Sequence, residues 1–220
     1  DTDLDAAATR ALGEAIERSA LHDRPSEDTA LTVATASDLG ASAADLTDCV
    51  RFDERQLLSV PKLSGWAWNE NTVTTWESLQ DANGAPVLVP IDLVRMLGVD
   101  ATRVRAASSV GTACGPTWRF AKEGALLEAA ERHVVAEHVY RQEPAIAISP
   151  GEIDEDELVR NLATHGLRLR VGLLPNVFGL PVAIAVIEGD GRATPAAAFG
   201  SSANVSVPSA LRSAVYEVVH

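Results

Sequence analysis

From Leu4 to His22 the apolar positions of this chain recur at intervals of three and four, the period of one helix face, with Asp1, Asp3 and Asp5 available as caps. The polar stretch HDRPSEDTA, containing Pro25, ends that helix. ALTVATASDLG follows with helix-like spacing but mixed propensity. Val73, Thr75 and Glu77 then alternate against Thr74, Trp76 and Ser78, the two-residue period of a strand. DANGAPVLVP adds a turn at Asn83-Gly84 and a second apolar run, so a β-hairpin is expected. AASSVGTACGPT, rich in Gly, Ser and Thr, feeds a long helix expected from about Trp118 to Arg141.

The last third repeats these rhythms. EIDEDELVRNLATHG reads as an acidic helix closing at His165-Gly166, a C-cap pair. LRLRVGLL alternates at period two, PNVFGLP turns the chain, and VAIAVIEG is a wholly apolar strand. FGSSANVSVPSALRSAVYEVVH reads as a Ser- and Gly-rich loop followed by a final helix. No Pro/Ser linker divides the chain. The expectation is an α+β fold, a single domain over residues 1–220: β-hairpins and mixed sheets packed against two long helices and a C-terminal helix.

Composition narrows the function. With 46% hydrophobic and 22% charged residues, the 220-residue chain is that of a soluble globular protein. A formal net charge of -13 opposes non-specific binding to nucleic acid or to an anionic membrane. It leaves nucleotides open, because an acidic protein can hold them through Mg²⁺. Cys49 and Cys114 show neither metal-ligand spacing nor a disulfide framework, which favours a reducing, cytoplasmic setting. No apolar run reaches the ~18 residues of a membrane span, and DTDLDAAATR has no signal-peptide pattern.

One frame occurs twice. ALGEAIER (Ala11–Arg18) and ALLEAAER (Ala125–Arg132) share six of eight positions, each ending in E-x-x-E-R. At roughly 100° per residue, Glu128, Glu131 and Arg132 fall on the side of Leu127, Val134 and Val135, while Lys122, His133 and Glu137 fall opposite. Carboxylates on an apolar face need a cation or a hydrogen-bonding partner. Glu residues at i, i+3 can present oxygens to one hard cation such as Mg²⁺. Glu14, Glu17 and Arg18 lie opposite Leu12, Ala15 and Ile16, which also suits a solvated face with a Glu14–Arg18 pair. The repetition itself points to an internal pseudo-repeat or to a site using both helices.

Other patterns carry less. HVVAEH is one residue too long for H-x-x-E-H, and its His133 and Glu137 sit on the polar face, which disfavours zinc. Ser108, Ser109, Ser201 and Ser202 stand in no G-x-S-x-G elbow, and neither a P-loop nor a G-x-G-x-x-G pattern is present. Trp66, Trp68 and Trp76 read as core and hairpin packing.

At these residues the chain resembles the YcaO family. The resemblance runs in order through AAATRALGEAIER, FDERQLLSVPKLSGWAWNENTVTTWESLQDANGAPVLVPIDLV, ACGPTWRFAKEGALLEAAER, GLRLRVGLLPNVFGLPVAIAVI and AFGSSANVSVPSALRSAVYEVV, nearly the whole chain. It implies a YcaO-like fold with an internal pseudo-repeat, and ATP bound without a P-loop through carboxylate-held Mg²⁺. It also implies phosphorylation of a peptide backbone amide, giving an azoline by cyclodehydration or a thioamide, in the maturation of ribosomally made peptides. The positions carried over are Glu14, Glu17, Glu128 and Glu131 for Mg²⁺, with Arg18, Arg132 and Arg212 on the nucleotide. No residue is assigned to covalent catalysis. The implied partners are a precursor peptide and a leader-binding or other biosynthetic protein, in a homo- or heterodimer, with neither nucleic acid nor membrane.

The chain also departs from the family pattern. Phe120 stands where a further acidic residue is usual, eight positions before Glu128, and Pro116 where a polar side chain is usual. Arg10 replaces a small hydroxyl residue, and the customary N-terminal segment with its glycine and lysine is expected to be lacking ahead of Asp1. Two functions follow: an ATP-dependent cyclodehydratase, or a catalytically degenerate YcaO-like subunit that binds a precursor peptide or partner enzyme.

Overall fold

The computed structural model describes residues 4–23, 30–47, 49, 52–97, 103–105, 108–153, 156–189, 191 and 197–219. Asp1, Asp3 and Pro25 lie outside them. The chain forms two compact units, residues 1–109 and 110–220.

In the first unit, α1 (Leu4–His22) is an Ala-rich helix with Asp5 in its first turn and His22 in its last, both complementing the helix dipole. Its C-terminal end is anchored: Leu21 is buried, and its carbonyl accepts the Met96 N–H at 2.8 Å. The apolar side expected from Leu12 and Ile16 stays open, at 62% and 51% exposure. ALTVATASDLG does not form one helix. It divides into β1 (Leu31–Ala34) and the one-turn α2 (Ala36–Leu39), capped by the Thr35 hydroxyl. The β-branched Thr32 and Val33 pair across the sheet, and that tertiary pairing outweighs the helical spacing.

β2 (Thr74–Gln80) lies at the centre of an antiparallel sheet in the order β1-β2-β3, with β3 at Pro86–Pro90. The expected hairpin joins β2 to β3: Asp81 Oδ1 accepts the N–H groups of Asn83 and Ala85, and Gly84 takes φ 81. One face of the sheet buries Trp76 with Trp68, Leu46 and Val104, so these two tryptophans are core as expected, while Trp66 is half-buried with Phe52 edge-on to it. Beside it, α3 (Glu54–Ser59) starts at a reciprocal Asp53–Gln56 capping box. On the other face, buried Glu77 meets Arg95 through two 2.7 Å hydrogen bonds.

The second unit opens with α4 (Trp118–Arg141), starting where expected because the Thr117 hydroxyl accepts the Phe120 N–H at 3.2 Å. β4 (Ile146–Ile148), β5 (Arg168–Leu173), β6 (Val182–Glu188) and β7 (Ala197–Ala203) form an antiparallel sheet in that order. β7 corrects the reading of its residues as loop. Its small side chains fit beneath α6 (Val207–Val219), and Gly200 lets the strand approach that helix's backbone: a Cβ there would lie 2.6 Å from Val218 N. α6 packs Ala210, Leu211, Ala214, Val215 and Val218 on one sheet face. α5 (Asp156–Thr164) adds Leu162 to the same core and closes at Gly166, φ 71. α4 covers part of the opposite face through Val134, against Leu174, Val182 and Ala203. β6 is therefore sandwiched, which explains its unbroken apolar sequence.

Among the described residues, no helix is long and apolar enough to cross a membrane.

Candidate functional site

The two E-x-x-E-R sets have different surroundings. On α1, Arg18 and Glu14 form an exposed i, i+4 ion pair at 2.5 Å; Glu17 is half-buried, and Arg10 is exposed one turn before Glu14. On α4, Glu131 is buried at 8% exposure, Glu128 is half-buried, and Arg132 reaches outward with its Nε 3.8 Å from Glu128 Oε1. Lys122 and His133 face solvent, as the periodicity predicts.

Glu131 is held by the sheet. Its Oε1 accepts the buried Ser201 hydroxyl at 2.6 Å, and its Oε2 accepts the Ala203 N–H at 3.2 Å. Glu128 is held by the loop before α4: Gly111, at φ 86, donates its N–H to Glu128 Oε2 at 3.2 Å. That loop packs closely because Gly124 has no side chain; a Cβ there would meet Ala113 at 3.3 Å.

A third carboxylate joins these two, and the sequence reading missed it. Glu217 of α6 is raised above the ordinary glutamate range by burial first and by the Glu131 charge next. Arg132 and a hydrogen bond from the Ser201 backbone oppose that rise, while Glu128 adds to it. The local signal was Glu217's place beside Val218, at the edge of an otherwise apolar helix face. Only the packing of β7 between α4 and α6 shows which acid it meets.

Arg212 of α6 lines a cleft with Ile148, Ile153 and Leu211. Phe120 is 59% exposed, and its ring leaves no room for a side chain on Gly115. Pro116 is exposed just before the Thr117 cap. In HVVAEH, His133 pairs with Glu137 at 3.6 Å, while His138 is buried with its Nε2 2.8 Å from the Pro175 carbonyl. Cys49 and Cys114 are free thiols.

Chemically, this is a patch of hard oxygen donors offset by one nearby guanidinium. No three acidic, His or Cys side chains converge as a ready-made metal site among the described residues. Mg²⁺ does not require such a cage, since it is usually held by one or two carboxylates plus phosphate oxygens. Burial raises the Glu217 acid first, and repulsion from Glu131 and Glu128 adds to it against the opposing charge of Arg132. A cation would relieve that repulsion, so the donor set fits Mg²⁺ together with a phosphorylated ligand.

The chain resembles several solved structures in fold. One is a heterocyclase in complex with substrate and cofactor: TM-score 0.81 and 22% identity, covering 94% of this chain and 30% of that one. Another is the YcaO from Methanopyrus kandleri bound with AMPPCP and Mg²⁺: TM-score 0.70 and 22% identity, covering 99% and 52%. A third is the E. coli microcin synthetase McbBCD complex with pro-MccB17 bound: TM-score 0.71 and 15% identity, covering 95% and 53%. This chain thus spans about a third to a half of the length of these proteins. No curated protein matches it significantly. The family model described as YcaO cyclodehydratase, ATP- and Mg²⁺-binding, matches residues 2–220. The chain belongs to the YcaO family.

Proposed function

We propose that this chain takes part in the maturation of ribosomally made peptides as a YcaO-type, Mg-ATP-dependent enzyme acting on a backbone amide. The observation that carries this is the meeting of Glu128, Glu131 and Glu217 beside Arg132 in the second unit. Glu128 and Glu217 would hold Mg²⁺ at that patch, and Glu131, fixed by Ser201 and Ala203, would set its charge. Arg132 would neutralise phosphate, and Glu14, Glu17 and Arg18 of the first unit are the nucleotide and Mg²⁺ positions that the family resemblance carries over there. Such an arrangement suits phosphoryl transfer, which needs positioning and charge stabilisation more than a covalent nucleophile. Mg-ATP would supply the phosphoryl group that makes the amide oxygen a leaving group, for attack by Cys, Ser or Thr (azoline) or by sulfide (thioamide). The precursor peptide is the substrate, and a leader-binding protein or a second YcaO subunit is the partner.

A second reading, a degenerate subunit that binds a precursor peptide or partner enzyme, is favoured by two observations. Phe120 presents a ring where the family pattern has an acid, and both oxygens of Glu131 already have protein donors. Calorimetric titration with Mg-ATP and a non-hydrolysable analogue separates the readings. The enzyme reading expects binding that Glu128→Gln abolishes, because a neutral amide is a poor Mg²⁺ ligand. Absence of binding at millimolar nucleotide supports the subunit reading, and binding retained in Glu128→Gln shows the site to be misplaced.

A further inference from the structure

The first unit contains a cleft that the Mg-ATP reading does not use. It has a volume of about 350 Å³, within the range of ligand pockets. It is enclosed by α2, the 3-10 turn Gly40–Ser42, the segment from Ala43 to Thr47, and the loop bearing Trp68 and Glu70. Small residues make its wall. Gly40 adopts φ 52, a left-handed conformation suited to glycine, and Ala41 and Ala43 leave the space beside it empty.

The floor is rigid and aromatic. Trp68 is buried in the first unit's core, and its indole N–H donates to the Thr74 hydroxyl at 2.9 Å. The two sides are tied together by Ser37, whose N–H and hydroxyl both donate to the Glu70 carbonyl, at 3.1 and 3.2 Å. The cleft is therefore formed before any ligand arrives, which lowers the ordering cost of binding.

Its rim is negative. Asp45 Oδ1 accepts the Thr47 N–H and hydroxyl, at 2.9 and 2.7 Å. The hydroxyl bond first and the amide bond next hold its acid below the ordinary aspartate value, so it is charged at neutral pH. Glu70 is exposed at the same rim. Neither carboxylate is ion-paired with any described residue, and the described lining residues include no Lys, Arg or His. A slot lined by alanines, Gly40 and the edge of Trp68, with two exposed acids, matches a cation on an alkyl stem. The stem lies on apolar surface, and the head stays near water.

We propose that this cleft takes a lysine or arginine side chain carried on a peptide, its stem against Trp68 and its cationic head at Asp45 and Glu70. The choice of a peptide over a free amine rests on the peptide-modifying reading above.

The test is fluorescence anisotropy on the full chain with a fluorescein-labelled Gly-Ala-Lys-Ala-Gly peptide and its norleucine counterpart. The expected result is a lysine peptide bound at least about tenfold more tightly than the norleucine peptide. Asp45→Asn with Glu70→Gln should erase that preference, as should Ala41→Leu, which fills the slot. Glu143→Gln with Glu157→Gln, the same charge change on the second unit, should keep it. Equal binding of the two peptides, or preference retained in Asp45→Asn/Glu70→Gln, overturns the proposal. So does equal loss in the Glu143/Glu157 control, since the acidic field alone would then be responsible. Cadaverine competing as strongly as the lysine peptide overturns the assignment to a peptide. Asp45→Asn/Glu70→Gln should bind Mg-ATP as wild type does. If wild type fails to bind Mg-ATP but keeps the lysine preference, the enzyme reading falls and this one stands.

Discussion

Ser201 donates its hydroxyl to Glu131 across 2.6 Å, both residues being buried, and this contact fastens the second E-x-x-E-R helix to β7. Through its backbone the same serine also hydrogen-bonds Glu217. One small residue on a strand thus hydrogen-bonds two of the three carboxylates of the proposed site.

Ser201→Ala should cost about 1–3 kcal/mol, because a buried charged oxygen loses its short donor while the rest of the strand is unchanged. Urea denaturation gives the number. A variant as stable as wild type would mean that water replaces the hydroxyl at no cost, and the contact would not be the anchor described.

Gly200→Ala should be more damaging. The new Cβ would fall 2.6 Å from Val218 N and 2.8 Å from Ala214 O, both backbone atoms that no rotamer change can move. Separation of α6 from β7 should cost about 2 kcal/mol or more. It should also weaken Mg-ATP binding by shifting Glu217. A drop in melting temperature without any change in nucleotide affinity would detach Glu217 from the site.

Glu217 predicts a pH dependence. Its acid is raised, so the folded state prefers the neutral form. That contribution is fully present below the ordinary glutamate pKa near 4.3 and is lost as pH rises through the higher folded value. Glu217→Gln should match wild type near pH 4 and exceed it at pH 7. The gain is about a few tenths of a kcal/mol, since the side chain remains partly open to solvent. Millimolar Mg²⁺ should stabilise wild type more than the variant. Parallel stability curves from pH 4 to 8 would contradict the raised Glu217 acid, which burial and then the Glu131 charge produce.

Glu77→Gln should destabilise the first unit by about 3 kcal/mol. It leaves the Arg95 guanidinium, whose pKa is raised chiefly by its hydrogen bond to Glu77, without its bidentate partner in a largely buried place. Thermal melts of wild type and variant settle this, and a loss under about 0.5 kcal/mol would show that water replaces the carboxylate.

How much of this was legible beforehand differs by element. α4 begins at Trp118 and α5 closes at Gly166 as expected, because Thr117 and Gly166 act on their own neighbouring backbone. The burial of Glu131 beside Val134 follows from periodicity alone, and the hairpin at Asn83-Gly84 from turn chemistry. β1 and β7 were not legible. Thr32 becomes strand because Trp76 lies across from it, and Phe199-Gly200-Ser201 because Val186-Ala185-Ile184 does. Their local composition says helix and loop.

The sequence by itself determined the periodic helices, the hairpin turn, the repeated acidic frame and, through the order of its motifs, the family. Tertiary structure alone decided that Glu217 meets Glu131, that Arg212 lines a cleft with Ile153, and that Asp45 and Glu70 share a cleft with Trp68. Caps and periodicity act within a few residues along the chain. Contacts between distant carboxylates depend on how closely strands and helices approach, and here a glycine at position 200 sets that distance.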